Sequence, residues 1–195
     1  MVTLTRTLQT KNWLIYAALL LSLLALLVLS PAEATLGYVV KIVYAQGAAE
    51  RIAAYAYVIA GGLGVAHLVL RRDALAHWTQ AVTETAIGFW LAQFVISAPA
   101  QVLAWGAFDF SEPRVAGALW ILALTVLVYV VARWIGEKNW MSVAAIANLA
   151  IFLIVLRGAV NILHPGNAII ASDSMAIKGF YAAIVVTMGL LLNRI

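Results

Sequence analysis

The sequence predicts an all-α, polytopic membrane protein with six transmembrane helices joined by short outer loops. Three observations carry that prediction. Apolar residue types make up 65% of the chain and charged ones only 10%, with a mean hydropathy of +1.01. A soluble domain holds roughly 45–50% apolar and about 25% charged residues, so a chain this apolar has too little polar surface to face water. The apolar residues also fall in long runs separated by short polar segments, and a run of ~20 is enough to cross a bilayer. The 195 residues form one membrane domain, residues 1–195, with no room for a second, soluble one.

The elements follow in order. The first span is expected at about 13–30, after a polar stretch carrying Arg6 and Lys11, and it closes at Pro31. A cleavable signal peptide has an apolar core of only about 7–15 residues, so this run reads as a retained span. Pro31 to Arg51 is mixed, punctuated by Tyr38, Lys41, Tyr44, Gln46, Glu50 and Arg51 and interrupted by Gly47. Part of it reads as a short helix lying in the membrane interface, with tyrosines at headgroup depth. The second span, 52–70, contains Gly61, Gly62 and Gly64, which let a neighbouring helix come close. Arg71, Arg72 and Asp73 stop it. The third span is 81–104, with Glu84 near its start and Pro99 near its end. The fourth is 115–135, the fifth 140–160 with Arg157 near its end, and the sixth 175–192.

Six spans put both termini on one side. That side collects Arg6, Lys11, Arg71, Arg72, Arg133, Lys138 and Arg194; the other collects Lys41, Arg51, Arg114, Arg157 and Lys178. The excess of Lys and Arg favours termini in the cytoplasm. The Gln46 region, the segment 104–114 and the loop holding His164 then face outward and are expected to meet in one site. The net charge of +4 is what such loops produce and calls for no nucleic acid. The chain has no Cys, which removes thiolate metal sites and thiol redox chemistry. No hydrolytic triad and no helix bearing a metal-binding His pair is visible, so the chain does not read as an enzyme.

The segment Ala104 to Arg114, AWGAFDFSEPR, stands out among the connections. Trp105, Phe108 and Phe110 are large flat side chains with charges among them. Such a surface suits a planar ligand or a protein partner, and an interfacial aromatic belt is the commoner role for these residues. His164 precedes Pro165, which fixes the backbone and biases it away from helix. A neutral imidazole on a stiff loop is a fair axial ligand for heme iron, and a solvated loop histidine reads equally well. His67 and His77 read as interfacial or hydrogen-bonded residues. Arg114 and Arg157 carry guanidinium forks that match carboxylates such as heme propionates. Equally, they suit helix ends, or pairing with Asp109 and Glu112. Glu84 lies at membrane depth, where an acid needs a partner or must reach for the headgroups.

Several of these stretches resemble the cytochrome c assembly heme-handling family, nearest its heme exporter C branch. That family carries an outer motif, WGxWWxWDxR, after its third span. Here the frame runs from Trp105-Gly106 through Phe108, Asp109 and Phe110 to Glu112-Pro113-Arg114. Leu163-His164-Pro165 matches the family's segment before its last span. Lys41-Ile42-Val43-Tyr44 is similar to the stretch leading to its first ligand His, and Glu84-Thr85-Ala86-Ile87-Gly88 to a Glu-x-x-Gly pattern in its third span. The likeness covers roughly Lys41 to the C-terminus. It implies a protein of the bacterial cytoplasmic membrane that binds heme b at its outer face and hands it to a heme carrier. His164 would be an axial ligand; Trp105, Phe108 and Phe110 would be the platform. Gln46-Gly47 falls where the family has its first His, followed by Val-Pro, and most of the motif's indoles are replaced. Those departures imply weak heme binding or none. In the second case the chain is a heme-free structural subunit of a larger respiratory or photosynthetic complex. A small-molecule carrier or quinone-site protein fits less well, because intramembrane charges are few and no inverted repeat is seen.

Overall fold

The computed structural model describes residues 2–158, 169 and 172–192, with side chains from residue 13 to residue 191. Its six helices are α1 (Val2–Leu29), α2 (Val40–Leu70), α3 (Asp73–Trp105), α4 (Pro113–Ile135), α5 (Lys138–Gly158) and α6 (Met175–Leu192). No strand lies among the described residues. Lipid offers no partner to a backbone N–H or C=O, and a helix satisfies these groups within itself. Of the six expected spans, α2, α3, α4 and α5 are long and apolar enough to cross a membrane. Trp13–Leu29 and Met175–Leu191 are shorter apolar helices.

Three helices begin well before the expected boundaries. α1 starts at Val2 rather than Trp13 and takes in the polar stretch with Arg6 and Lys11. α2 starts at Val40 rather than Ile52, so the polar residues from Lys41 to Arg51 are its first turns, not a separate interfacial segment. Lys41, Tyr44 and Glu50 find partners in the chain, which a hydropathy pattern does not show. α3 starts at Asp73 rather than Ala81. Asp73 sits in its first turn, where a carboxylate meets the positive end of the helix dipole. Between α2 and α3, Arg71 adopts φ +54°, and its N–H donates to the His67 carbonyl at 2.8 Å. That left-handed conformation costs a residue with a Cβ roughly 1–2 kcal/mol.

The chain divides into two compact units, residues 1–48 with 167–195, and residues 49–166. In the first, α1 packs on α6, which buries Ile177, Tyr181, Ile184 and Met188 along one helical stripe. The α1–α2 connection is a tight turn. Glu33 and Gly37 exchange backbone hydrogen bonds, and Gly37 supplies the positive φ the turn needs. The Glu33 carboxylate accepts from the Thr35 and Leu36 N–H groups, which holds its pKa below the usual carboxylate range. Lys41 donates to the Val28 carbonyl, and the buried Tyr44 ring meets Tyr181 at 6.3 Å.

The second unit holds α2 from Ala49 with α3, α4 and α5, joined by short connections that make sequence neighbours antiparallel. Its core gathers Ala53, Ala56, Tyr57, Ala86, Trp90, Ile121 and Phe152. The Tyr57 and Phe152 rings stack at 5.2 Å, and Trp90 stands edge-on to Phe152 at 5.4 Å. The Trp90 indole N–H donates to the Ala118 carbonyl at 2.9 Å. Thr125 spends its hydroxyl proton on the Ile121 carbonyl at 2.7 Å, so Tyr57 donates to the Thr125 oxygen, 3.1 Å away. Tyr57 and Trp90 thus each fill volume and satisfy a polar edge.

Glycines bring α2 against α5, as their cluster in the sequence predicts. A Cβ on Gly64 would lie 2.7 Å from the Ser142 carbonyl oxygen, and one on Gly61 2.5 Å from the Leu149 side chain. Gly62 faces open space. The Gly64 neighbour is backbone and cannot step aside, whereas Leu149 can turn. Gly64→Ala is therefore expected to destabilise the protein by about 1–3 kcal/mol through overpacking. Gly62→Ala, which replaces a helical glycine without a clash, should be neutral or stabilising by up to ~1 kcal/mol. Thermal unfolding in detergent compares the two; equal effects would contradict this account of the α2–α5 contact.

Candidate functional site

The segment that the sequence singles out lies at one end of the second unit, between α3 and α4. α3 ends where Gly106 turns left-handed at φ +83° and its N–H returns to the Val102 carbonyl at 2.9 Å. This is a helix stop that favours glycine. Asp109 then accepts from both the backbone N–H and the hydroxyl of Ser111, at 2.8 and 2.7 Å. α4 opens with Glu112 as its N-cap, accepting from the Val115 N–H at 2.9 Å, followed by Pro113 where a missing donor costs nothing. The two acids of the motif thus serve the chain's own turn and helix start. The second Glu112 oxygen is buried without a partner among the described residues.

The flat side chains are placed as follows. Trp105 at the end of α3 and Phe110 in the loop are exposed, and Phe108 is half-buried. Phe108 and Phe110 meet edge to face, with centroids 4.8 Å apart and planes at 84°. Arg114 reaches neither Asp109 nor Glu112. Its guanidinium lies 3.8 Å from the Glu50 carboxylate on α2, each side chain about a third exposed. Sequence reading marked Glu50 only as a polar interruption. Its pairing across the unit is set by packing and has no local signal. Arg157 is exposed in the last turn of α5.

Gln46 belongs to the first unit, half-buried on α2. His164 lies outside the described residues. The expected meeting of Gln46, the aromatic segment and His164 is therefore carried only by its middle member, in which Phe108 touches Phe110. The two described histidines lie toward the other end of the second unit. His67 is buried, with Nδ1 2.7 Å from the Ser142 hydroxyl, as its hydrogen-bonded reading expects, and His77 is exposed near the start of α3. That end is tied by Arg71 to Asn139 at 2.9 Å and by Lys138 to Asp73 at 2.9 Å. Among the described residues no group of three His, Cys, Asp or Glu side chains is arranged to hold a metal ion.

Tested against heme, the loop fits poorly. Of the two guanidiniums that could meet a propionate, Arg114 is held at a carboxylate and Arg157 is exposed. The two phenyl rings are turned against each other rather than laid flat as a platform.

Glu84, for which the sequence offered no partner, accepts from Gln80 at 2.8 Å and from the Tyr129 hydroxyl of α4 at 2.5 Å. The cluster lies on the outside of the unit, and Glu84 itself is exposed.

Set beside protein-family models, curated proteins and solved structures, the chain matches none of them.

The Asp109 turn has a pH signature. Donation from Ser111 holds the Asp109 carboxyl below its ordinary pKa of 3.8. A carboxylate depressed in this way adds stability that is fully present above 3.8 and is lost as the pH falls through the lower folded value. The turn is expected to keep its order at pH 5 and to loosen only below 3.8, and Ser111→Ala should move the Asp109 titration upward. Carboxyl-carbon NMR shifts in micelles follow both; an unmoved titration would show that Ser111 does not hold this acid.

Proposed function

We propose that this chain is a heme-free membrane subunit, related to the cytochrome c assembly heme-handling family, that crosses a bacterial cytoplasmic membrane six times with both termini inside. It performs no catalysis. Its outer aromatic segment packs on another protein of a larger respiratory or photosynthetic assembly. The observation that carries this reading is that three of the side chains heme would use are engaged within the chain: Arg114 with Glu50, and Phe108 with Phe110. Gln46 supports it, because an amide is a far poorer iron ligand than an imidazole. Trp105 and Phe110 remain exposed, and aromatic side chains are the kind that protein interfaces bury.

A second reading keeps heme at the outer face, with His164 as axial ligand and Trp105 as the remaining platform. It is favoured by the Trp105-Gly106 pair, whose indole is exposed where the family's motif begins. One preparation separates the two. The chain is purified in mild detergent with heme b added, and its absorption and co-purifying proteins are recorded. The heme-free reading expects no Soret band above that of heme in detergent alone, and a stoichiometric protein partner. A lone protein with a Soret band that disappears on His164→Ala would overturn it in favour of heme presentation.

A further inference from the structure

The lateral face of α3 and α4 carries a charge pattern that the outer segment does not account for. Trp78 and Trp105 are both exposed, and the ~1.5 Å rise per helical residue puts them ~40 Å apart. That separation matches the ~40–45 Å thickness of a bilayer with its interfaces, so the two indoles mark its edges on α3. Glu84 is then ~9 Å deeper than Trp78 at the same rise per residue, within the hydrocarbon margin. On α4, Trp134 is 88% exposed and Tyr129 lies ~7 Å deeper, at the level of Glu84.

Glu84 is exposed on this face, and Gln80 and Tyr129 fix its carboxylate in place. No Lys or Arg lies within ion-pair distance of it among the described residues. Arg133 is exposed one turn from Tyr129, beside Trp134, and likewise has no carboxylate at that distance. One membrane face thus carries an acid on α3 and a base on α4, one turn apart in depth and unpaired with each other. An acid at this depth is costly without a counter-charge. Ala81 and Gly88 flank Glu84 on the exposed stripe of α3, and a Cβ on Gly88 would meet nothing within 4 Å. A second helix can therefore come close here.

We infer that this face is the contact between two copies of the chain, related by a two-fold axis along the membrane normal. That axis sets α3 of one copy against α4 of the other and preserves depth. Each Glu84 then meets the Arg133 of the other copy, whose side chain is long enough to reach one turn inward. The pattern is self-complementary, as an isologous contact requires.

The absence of Cys gives a clean background for a test in native membranes. One tagged copy carries Gly88→Cys and a differently tagged copy carries Val126→Cys, a residue exposed on α4 at matching depth. Mild oxidation should link the two tags into a dimer, whereas Val65→Cys on the exposed side of α2 should not link to the Gly88→Cys copy. Adding Glu84→Arg to both copies, or Arg133→Glu to both, should reduce the link at least tenfold. Putting Glu84→Arg in one copy and Arg133→Glu in the other should restore it. That recovery can arise only between copies, so it separates a broken interface from a misfolded chain. A wild-type pair that does not link, a link indifferent to the charge reversals, failure of the mixed pair to recover, or a link to a different protein instead would each overturn the inference.

Discussion

The close approach of α2 to α5 sets the geometry of the second unit. In lipid the hydrophobic effect does not press helices together, so association depends on how near two backbones can come. Gly64 lets α2 lie against the Ser142 carbonyl, and Gly61 admits Leu149 one turn away. Ala49, Ala53, Ala56 and Ala60 are buried along the same helix. What happens at either end of this contact follows from it. Toward the α5 start, His67 comes within hydrogen-bonding distance of Ser142. In the other direction Tyr57 stacks on Phe152, and through Phe152 the layer extends to Trp90 on α3. A glycine inside a helix costs roughly 0.5–1 kcal/mol against alanine. Here the helix accepts that cost because a methyl group at Gly64 would displace the layer built on the contact.

The loop end shows how a sequence motif can be spent on structure. Gly106 ends a helix, Asp109 closes a turn and Glu112 with Pro113 begins the next helix. Every charged or conformationally special residue between Trp105 and Arg114 thus has a local backbone task or an in-chain partner. The Arg114–Glu50 contact is partly exposed, and pairs of that kind contribute only ~0–1 kcal/mol. Its importance is positional. It ties the start of α4 to α2, and it answers the guanidinium's demand for a carboxylate without any ligand.

Much of the fold was legible because hydropathy and helix length report the same requirement, that backbone groups be satisfied inside the bilayer. The ends of the spans were legible where glycine, proline or a charge pair marks them, as at Pro113. They were misread where polar residues are helical. Lys41 and Glu50 looked like interruptions because their partners, the Val28 carbonyl and Arg114, are 13 and 64 positions away. The site was less legible for the same reason. Aromatic and charged residue types named the segment, but whether Phe108 lies flat or edge-on to Phe110, and which acid Arg114 meets, depend on tertiary packing that no spacing encodes. Glu84 was visible as an expensive residue. Tyr129 as its partner was not, because its own stretch of α4 is uniformly apolar.

The two surfaces of the second unit ask for different kinds of cover. The charges of the aromatic segment are answered within the chain, and among its exposed side chains Trp105 and Phe110 bury well against a protein and carry no charge to neutralise. The lateral face is the reverse. Its hydrophobic residues are content with lipid, and the acid at Glu84 is the group lipid cannot answer. A contact on the lateral face leaves the aromatic end open, since one lies along the helices and the other across their ends. A pair of chains joined through α3 and α4 would therefore present two aromatic ends on the same side of the membrane, and a partner that binds one end would meet a second at a fixed spacing. Such a partner is held by two weak contacts in place of one, which strengthens attachment without any new contact chemistry.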